Sequence, residues 1–123
     1  MRNPAKLLSS AASVIAVLGT LAMTPAVVSA EEASVIDEGK KLAFDRKKGN
    51  CLACHQMAGG SMAGNIGPPL IAMKARFPDK GKLRAQVYDA RTANPNTIMI
   101  PFGPHRVLSD AEIDKVVEYI YTL

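Results

Sequence analysis

The 123-residue chain is poor in aromatic side chains and in the residues that usually bind metals. It has no tryptophan, three phenylalanines, three tyrosines, two cysteines and two histidines. If the two cysteines were half of a zinc site, two more ligands would be needed, and beyond His55 only His105 remains. The basic residues neither cluster with aromatics nor dominate the charge balance, so nothing indicates nucleic-acid binding.

Both cysteines lie in one pentapeptide, Cys51-Leu52-Ala53-Cys54-His55. C-x-x-C-H is the pattern of covalent c-type haem attachment. Two thiols three positions apart on a helical turn can each form a thioether with a haem vinyl group, and the next residue then directs its imidazole at the iron. A metal-free redox pair usually begins a helix in a βαβ context, which this sequence lacks. We therefore predict one covalent haem c, attached through Cys51 and Cys54, with His55 as an iron ligand.

Residues 1–30 have the pattern of a secretory signal peptide. Two basic residues precede an apolar stretch from Leu7 to Met23, and Val28-Ser29-Ala30 is a small-residue cleavage pattern. A retained membrane anchor is less favoured, because serines, a glycine and a proline dilute the apolar run. No cysteine follows this run to carry a lipid, and no Arg-Arg pair precedes it. We expect general export and cleavage, which leave residues 31–123 in the periplasm, free of the membrane.

The expected mature chain is one domain near the size at which an apolar core alone is marginal. Cleavage removes two of the 15 basic residues and none of the 11 acidic ones, so the formal charge falls from +4 to +2. Because large aromatic side chains are scarce, we expect a buried haem to supply much of the core. The haem-free chain is then predicted to be poorly folded.

The apolar periodicity predicts an all-α domain wrapped around the haem. A first helix carries Ile36 to Phe44 on a helical repeat and ends near Lys47-Lys48-Gly49, and a middle helix is predicted from Gly81 to Ala90. Ser109 and Glu112 form a capping box at the start of the last helix. Its apolar stripe is predicted to pack on the first helix and contains Ile113, Val116, Val117, Ile120 and Tyr121.

The second iron ligand is predicted to be a methionine, whose thioether sulfur raises the reduction potential. Met57 and Met62 follow His55 too closely, and Met73 is expected on the His55 side. Met99 lies between Pro95 and Pro101, which stiffen the backbone and can hold its side chain over the haem. We therefore favour Met99. His105 stays open as an alternative, although a surface histidine at a turn is the simpler interpretation.

These residues resemble a class I cytochrome c, and more closely the SoxX family, the monohaem subunits of the thiosulfate-oxidising SoxAX complex. The resemblance covers the expected mature chain. Besides the haem motif, its specific segments are Gly64-Asn65-Ile66-Gly67-Pro68-Pro69-Leu70 and Asn94-Pro95-Asn96-Thr97-Ile98-Met99-Ile100-Pro101-Phe102-Gly103. Many relatives have Met-Pro-Pro at this point, whereas here Ile100 stands between Met99 and Pro101. The difference concerns the conformation of the loop and not the identity of the iron ligand.

The resemblance implies a role for each site residue. Cys51 and Cys54 carry the thioethers, His55 is the proximal ligand with its other ring nitrogen held by the Pro68 carbonyl, and Met99 is the distal ligand. It also implies a heterodimer with a SoxA-like cytochrome, which couples thiosulfate to a cysteine of the carrier SoxYZ as an L-cysteine S-thiosulfotransferase. This chain then passes electrons to a soluble cytochrome c and has no catalytic residue of its own.

Two other functions stay open at this point. The chain could be a free-standing periplasmic shuttle in respiration, or a ligand sensor or haem enzyme with a displaceable Met99. Lysines and an arginine around an exposed haem edge could form a docking face, or simply a solvated surface; they are Lys47, Lys48, Lys74 and Arg76.

Overall fold

The structure is a computed structural model that describes residues 26–123. It contains helices α1 (Ala26–Phe44), α2 (Met73–Arg76), α3 (Lys80–Tyr88) and α4 (Asp110–Ile120), with short 3-10 helices at Cys51–Ala53 and Ala90–Thr92. These residues form no strand, so the predicted all-α fold is confirmed. The predicted signal peptide lies outside the described residues, except for its last five, which begin α1. None of the described helices has the length and apolar character needed to cross a membrane.

Helices α1 and α4 make the most extensive helix contact of the described chain. Gly39 allows this close approach, because a Cβ atom there would lie 1.9 Å from the Lys115 carbonyl oxygen. The predicted capping box is present: the Glu112 amide donates to Ser109 Oγ at 3.2 Å, and the Ser109 amide donates to Glu112 Oε2 at 2.8 Å. The α4 stripe is buried as predicted, except that Tyr121 is half-buried and Tyr119 is buried instead.

Helix α1 ends earlier than the sequence indicated, at Phe44 instead of near Gly49. The Asp45 side chain accepts a hydrogen bond from the Lys47 amide at 2.8 Å, and the Asp45 carbonyl accepts one from the Lys48 amide at 3.0 Å. These local bonds compete with helix continuation. They form a compact turn that directs the chain into the cysteine motif.

The middle helix was predicted within two residues at each end. Asp79 caps α3, since its Oδ1 accepts a hydrogen bond from the Gly81 amide at 2.8 Å. Arg84 ties α3 to α4 through hydrogen bonds to Asp114 at 2.6 Å and Asp110 at 3.1 Å. The single turn of α2 was not predicted; it follows Ala72, which has the left-handed φ of 50°.

Candidate haem site

The residues predicted to bind haem line one cavity of about 310 Å³. Cys51, Cys54, His55, Pro68 and Met99 all lie in its wall. The rest of the wall is mostly apolar and includes Leu70, Phe77, Leu83, Val87, Phe102 and Ile120. A largely apolar pocket with a few converging polar groups is typical of a cofactor site.

The cysteine motif is shaped by the turn that precedes it. Asn50 adopts the left-handed conformation with φ 45°, which asparagine tolerates better than most residues. The following residues form a 3-10 helix, and the His55 amide donates to the Cys51 carbonyl at 2.9 Å. This one tight turn brings both sulfur atoms and the imidazole to the same cavity.

Both thiols are free, and Cys51 is in a state unsuited to thiol redox catalysis. Burial is the main cause that raises the pKa of Cys51 to about 11. Reactive redox cysteines have lowered pKa values, because the thiolate is the nucleophile. Among residues 26–123, no three His, Cys, Asp or Glu side chains come together as a metal-binding group. The surroundings of the motif therefore favour haem attachment over a redox pair or a zinc site.

His55 is oriented by a backbone carbonyl. Its Nδ1 lies 2.7 Å from the Pro68 oxygen, and since a carbonyl can only accept, Nδ1 carries the proton. The other ring nitrogen, Nε2, then keeps its lone pair for a metal. Such an outer hydrogen bond fixes the ring orientation of a metal-binding histidine and raises its basicity.

Gly67 packs flat against the His55 ring. A Cβ atom at this position would lie 2.3 Å from Cε1 and 2.5 Å from Nδ1 of the imidazole. The Gly67 amide also donates to the Cys54 carbonyl at 2.8 Å, which ties the segment before Pro68 to the cysteine motif. Only glycine leaves room for the imidazole in this orientation.

Two methionines line the cavity. Met99 is half-buried, and its amide donates to Thr97 Oγ1 at 3.2 Å. Met73 is 2% exposed and lies on α2. Met57 is buried in the core away from the cavity wall, and Met62 is 90% exposed. Among the described residues, the cavity is therefore lined by the predicted ligand Met99 and by Met73, and not by Met57 or Met62.

His105 lies apart from the cavity wall. It is exposed in the turn that follows Phe102, and its amide donates to the Pro101 carbonyl at 3.1 Å. This position matches the simpler of the two interpretations offered for it, a surface histidine.

The available donors fit a covalently bound haem. Two free thiols, an imidazole with one nitrogen left for iron, and a methionine sulfur surround one apolar cavity. Cys51 and Cys54 would form the thioethers, and His55 with Met99 would bind the iron. The soft sulfur and imidazole ligands are those found in cytochromes c.

The sequence reasoning missed two features of this site. The close contact of Gly67 with His55 was not expected, although a glycine directly before two prolines was a usable signal. Arg76 is exposed, as expected, and the missed feature is its contact with the proline segment: its Nη1 donates to the Pro69 carbonyl at 2.7 Å and lies 3.5 Å from Met73 Sδ. A contact across seven residues leaves no periodic pattern in the sequence.

Comparisons with known proteins identify the family of this chain. Residues 36–123 match the family described as cytochrome c. An uncharacterized lipoprotein of Aquifex aeolicus (strain VF5) is 36% identical over 76 residues, which cover 61% of this chain and 37% of that protein. The chain thus spans little more than a third of that relative. The match over residues 36–123 shows that the chain belongs to the cytochrome c family, whose members carry covalent haem c and transfer electrons.

Proposed function

We propose that this chain is the electron-transfer subunit of a periplasmic, SoxAX-type thiosulfate-oxidising complex. The observation that carries the proposal is the position of Met99. Met99 belongs to the segment Asn94–Gly103, one of the two on which the resemblance to SoxX rests, and it lines the same cavity as His55. A relative named as an uncharacterized lipoprotein and a predicted signal peptide both support export from the cytoplasm.

The bound haem supplies one-electron redox chemistry, and the chain tunes and shields it. Pro68 holds the proton on His55 Nδ1, and the mostly apolar wall would limit the access of water to a bound haem. No aspartate or glutamate is among the described residues of the wall. This composition supports electron transfer with substrate chemistry on a partner subunit.

The proposed reaction of the complex couples thiosulfate oxidatively to a cysteine of the carrier. An S–S bond forms between the outer sulfur of thiosulfate and a cysteine of the SoxYZ carrier, while the S–H bond of that cysteine breaks. One proton and two electrons are released. The haem of this chain would take the electrons one at a time and pass them to a soluble cytochrome c.

The four basic residues proposed as a docking face differ in their surroundings. Lys48 Nζ lies 2.8 Å from Glu112, Lys74 Nζ is 5.7 Å from the Tyr121 ring centre, and Arg76 bonds Pro69. Lys47 has no ion pair among the described residues.

Lys47→Glu therefore tests docking without breaking an internal contact. We expect slower, salt-sensitive electron transfer to the soluble acceptor, and an unchanged rate would remove Lys47 from the docking face.

A pull-down of the haem-loaded protein from thiosulfate-grown cells tests the complex itself. We expect a stable heterodimer with a larger haem protein, whose visible spectrum is reduced when thiosulfate and the SoxYZ carrier are added. Purification as a monomer that exchanges electrons with a respiratory oxidase would support the free-standing shuttle instead. Binding of carbon monoxide to the ferrous protein at neutral pH would favour a sensor with a displaceable Met99.

A further inference from the structure

The Pro68-Pro69 segment, which orients His55, makes no amide hydrogen bond of its own. Pro68 and Pro69 have no N–H group to donate. The flanking amides of Gly67 and Leu70 donate to Cys54 and Gln56, both at 2.8 Å, and tie the two ends of the segment to the haem motif. Between these ends the segment has only carbonyl oxygens with which to anchor the chain, and those of the two prolines accept side-chain hydrogen bonds. The Pro68 oxygen is taken by His55.

The remaining carbonyl, that of Pro69, accepts a hydrogen bond from Arg76. The Nη1–O distance is 2.7 Å, and a charged donor makes this hydrogen bond stronger than a neutral one. Arg76 lies on α2, which is anchored in the core by Met73; this residue is 2% exposed and its amide donates to the Leu123 carbonyl at 3.3 Å. Arg76 itself is exposed, and its guanidinium connects the proline segment to α2, which Met73 anchors in the core.

Arg76 differs from the arginines that form ion pairs on the surface. Arg84 bonds Asp110 and Asp114, and Arg91 bonds Asp89. Arg76 has no ion pair among residues 26–123 and is the cationic side chain of the described cavity wall. Its guanidinium is directed to a main-chain oxygen one residue away from the carbonyl that orients the imidazole.

We propose that Arg76 is a positioning residue for the haem ligand His55, acting through the carbonyl of Pro69. It holds the Pro68-Pro69 segment in place and thereby keeps the His55 Nδ1 proton bonded to Pro68. The inference rests on the haem site of the cytochrome c family and is independent of which protein partners the chain has.

The test measures solvent exchange of the His55 Nδ1 proton by NMR in the haem-loaded ferrous protein. In Arg76→Gln we expect exchange about tenfold faster, since hydrogen bonds to charged groups contribute at least that factor. Lys74→Gln is the matched control, because it removes the same charge from the same short helix and lacks the bond to Pro69; its exchange should equal that of the native protein. Arg76→Lys keeps the charge and one donor and should restore slow exchange. Equal exchange in Arg76→Gln and Lys74→Gln would overturn the proposal.

A second measurement covers the case in which Arg76→Gln does not fold, which thermal unfolding will show. In the native holoprotein, the guanidinium protons of Arg76 should exchange more slowly than those of Arg106, whose side chain makes no hydrogen bond within residues 26–123. Exchange as fast as that of Arg106 would also overturn the proposal. Neither measurement uses an electron partner, so failure here and failure to find a SoxA-like subunit are separate results.

Discussion

The absence of a side chain at Gly67 is what allows the His55 ring to lie against the backbone. In Gly67→Ala, the new methyl group would fall 2.3 Å from Cε1 of a ring whose Nδ1 is already held by Pro68. We expect the imidazole to move away from its position, with poor haem loading or loss of the six-coordinate ferric spectrum. The measurement is the haem content and visible spectrum of protein purified from the periplasm.

A matched control lies in the same region of the chain. A Cβ atom at Gly60 would approach the Leu52 Cδ1 atom to 2.2 Å, which is the end of a flexible side chain. Gly60→Ala should therefore retain the native spectrum with only a loss of stability. If Gly67→Ala also keeps the native spectrum, the glycine is not needed for ligand placement.

Met99 is the second residue whose chemistry can be tested alone. Met99→Ala removes the thioether sulfur, and the weak far-red band of methionine-bound ferric haem should disappear. The reduction potential should fall, because Met/His ligation raises it. Met73→Leu, a volume-conserving change in the same wall, should leave the band in place. Loss of the band in Met73→Leu alone would assign the iron ligand to Met73 instead.

At the scale of secondary-structure elements, the contact of α1 with α4 depends on Gly39. A side chain at this position meets the Lys115 carbonyl oxygen, which is backbone and cannot rotate away. We expect Gly39→Ala to separate the helices and lower the free energy of unfolding by about 1–3 kcal/mol, the usual cost of overpacking. Ser34→Ala, on an exposed position of α1, should change it by less than about 0.5 kcal/mol. Denaturant unfolding of both holoproteins measures the difference, and equal stabilities would contradict the role of Gly39.

The N-terminus of α4 should make stability depend on acid pH. Glu112 has a lowered pKa, first because Lys48 donates to its carboxylate and then because the Ser109 amide does so. A depressed folded-state pKa stabilises the fold above the ordinary range of a glutamate, and this contribution is lost as the pH falls through the lowered value. Glu112→Gln can keep the capping box, which accepts glutamine at this position, and loses the ion pair with Lys48. We expect a loss of up to about 1 kcal/mol at neutral pH, the usual range for an exposed salt bridge, and a weaker fall of stability with acid pH.

Unfolding curves from neutral to acid pH measure this effect. Glu31→Gln is the control, since its side chain is exposed at the other end of the chain and has no ion pair within residues 26–123. If stability falls as steeply with acid pH in Glu112→Gln as in the native protein, the charge of Glu112 contributes nothing to the pH dependence.

At the scale of the whole molecule, haem and fold depend on each other. The core has no tryptophan and surrounds a cavity of about 310 Å³ whose wall is mainly apolar. The Cys51→Ala/Cys54→Ala double variant, which cannot attach haem covalently, should lack a cooperative thermal transition and show reduced helicity by circular dichroism. A cooperative transition in the haem-free variant would show that the apolar core is sufficient by itself.

Several features could be predicted because their causes are local in the chain. The cysteine motif requires a fixed spacing, α4 has its capping box and apolar stripe within 15 residues of sequence, and the all-α fold follows from their periodicity. The end of α1 was placed too late, because the competing hydrogen bonds of Asp45 were not recognised. The short helix α2 gave no periodic signal, since one turn is too short to show one.

The sequence by itself determined the family and the last helix, and it predicts the attachment residues, because each depends on residues close together in the chain. Only the tertiary structure decided which methionines reach the cavity, that His105 stays outside it, and that Arg76 bonds the Pro69 carbonyl. These contacts join segments that are separated by loops without a periodic pattern. Their geometry follows from the packing of α1 on α4 and from the glycines that permit close approach. Spacing can therefore specify a haem attachment site, whereas the placement of its ligands depends on how the loops pack.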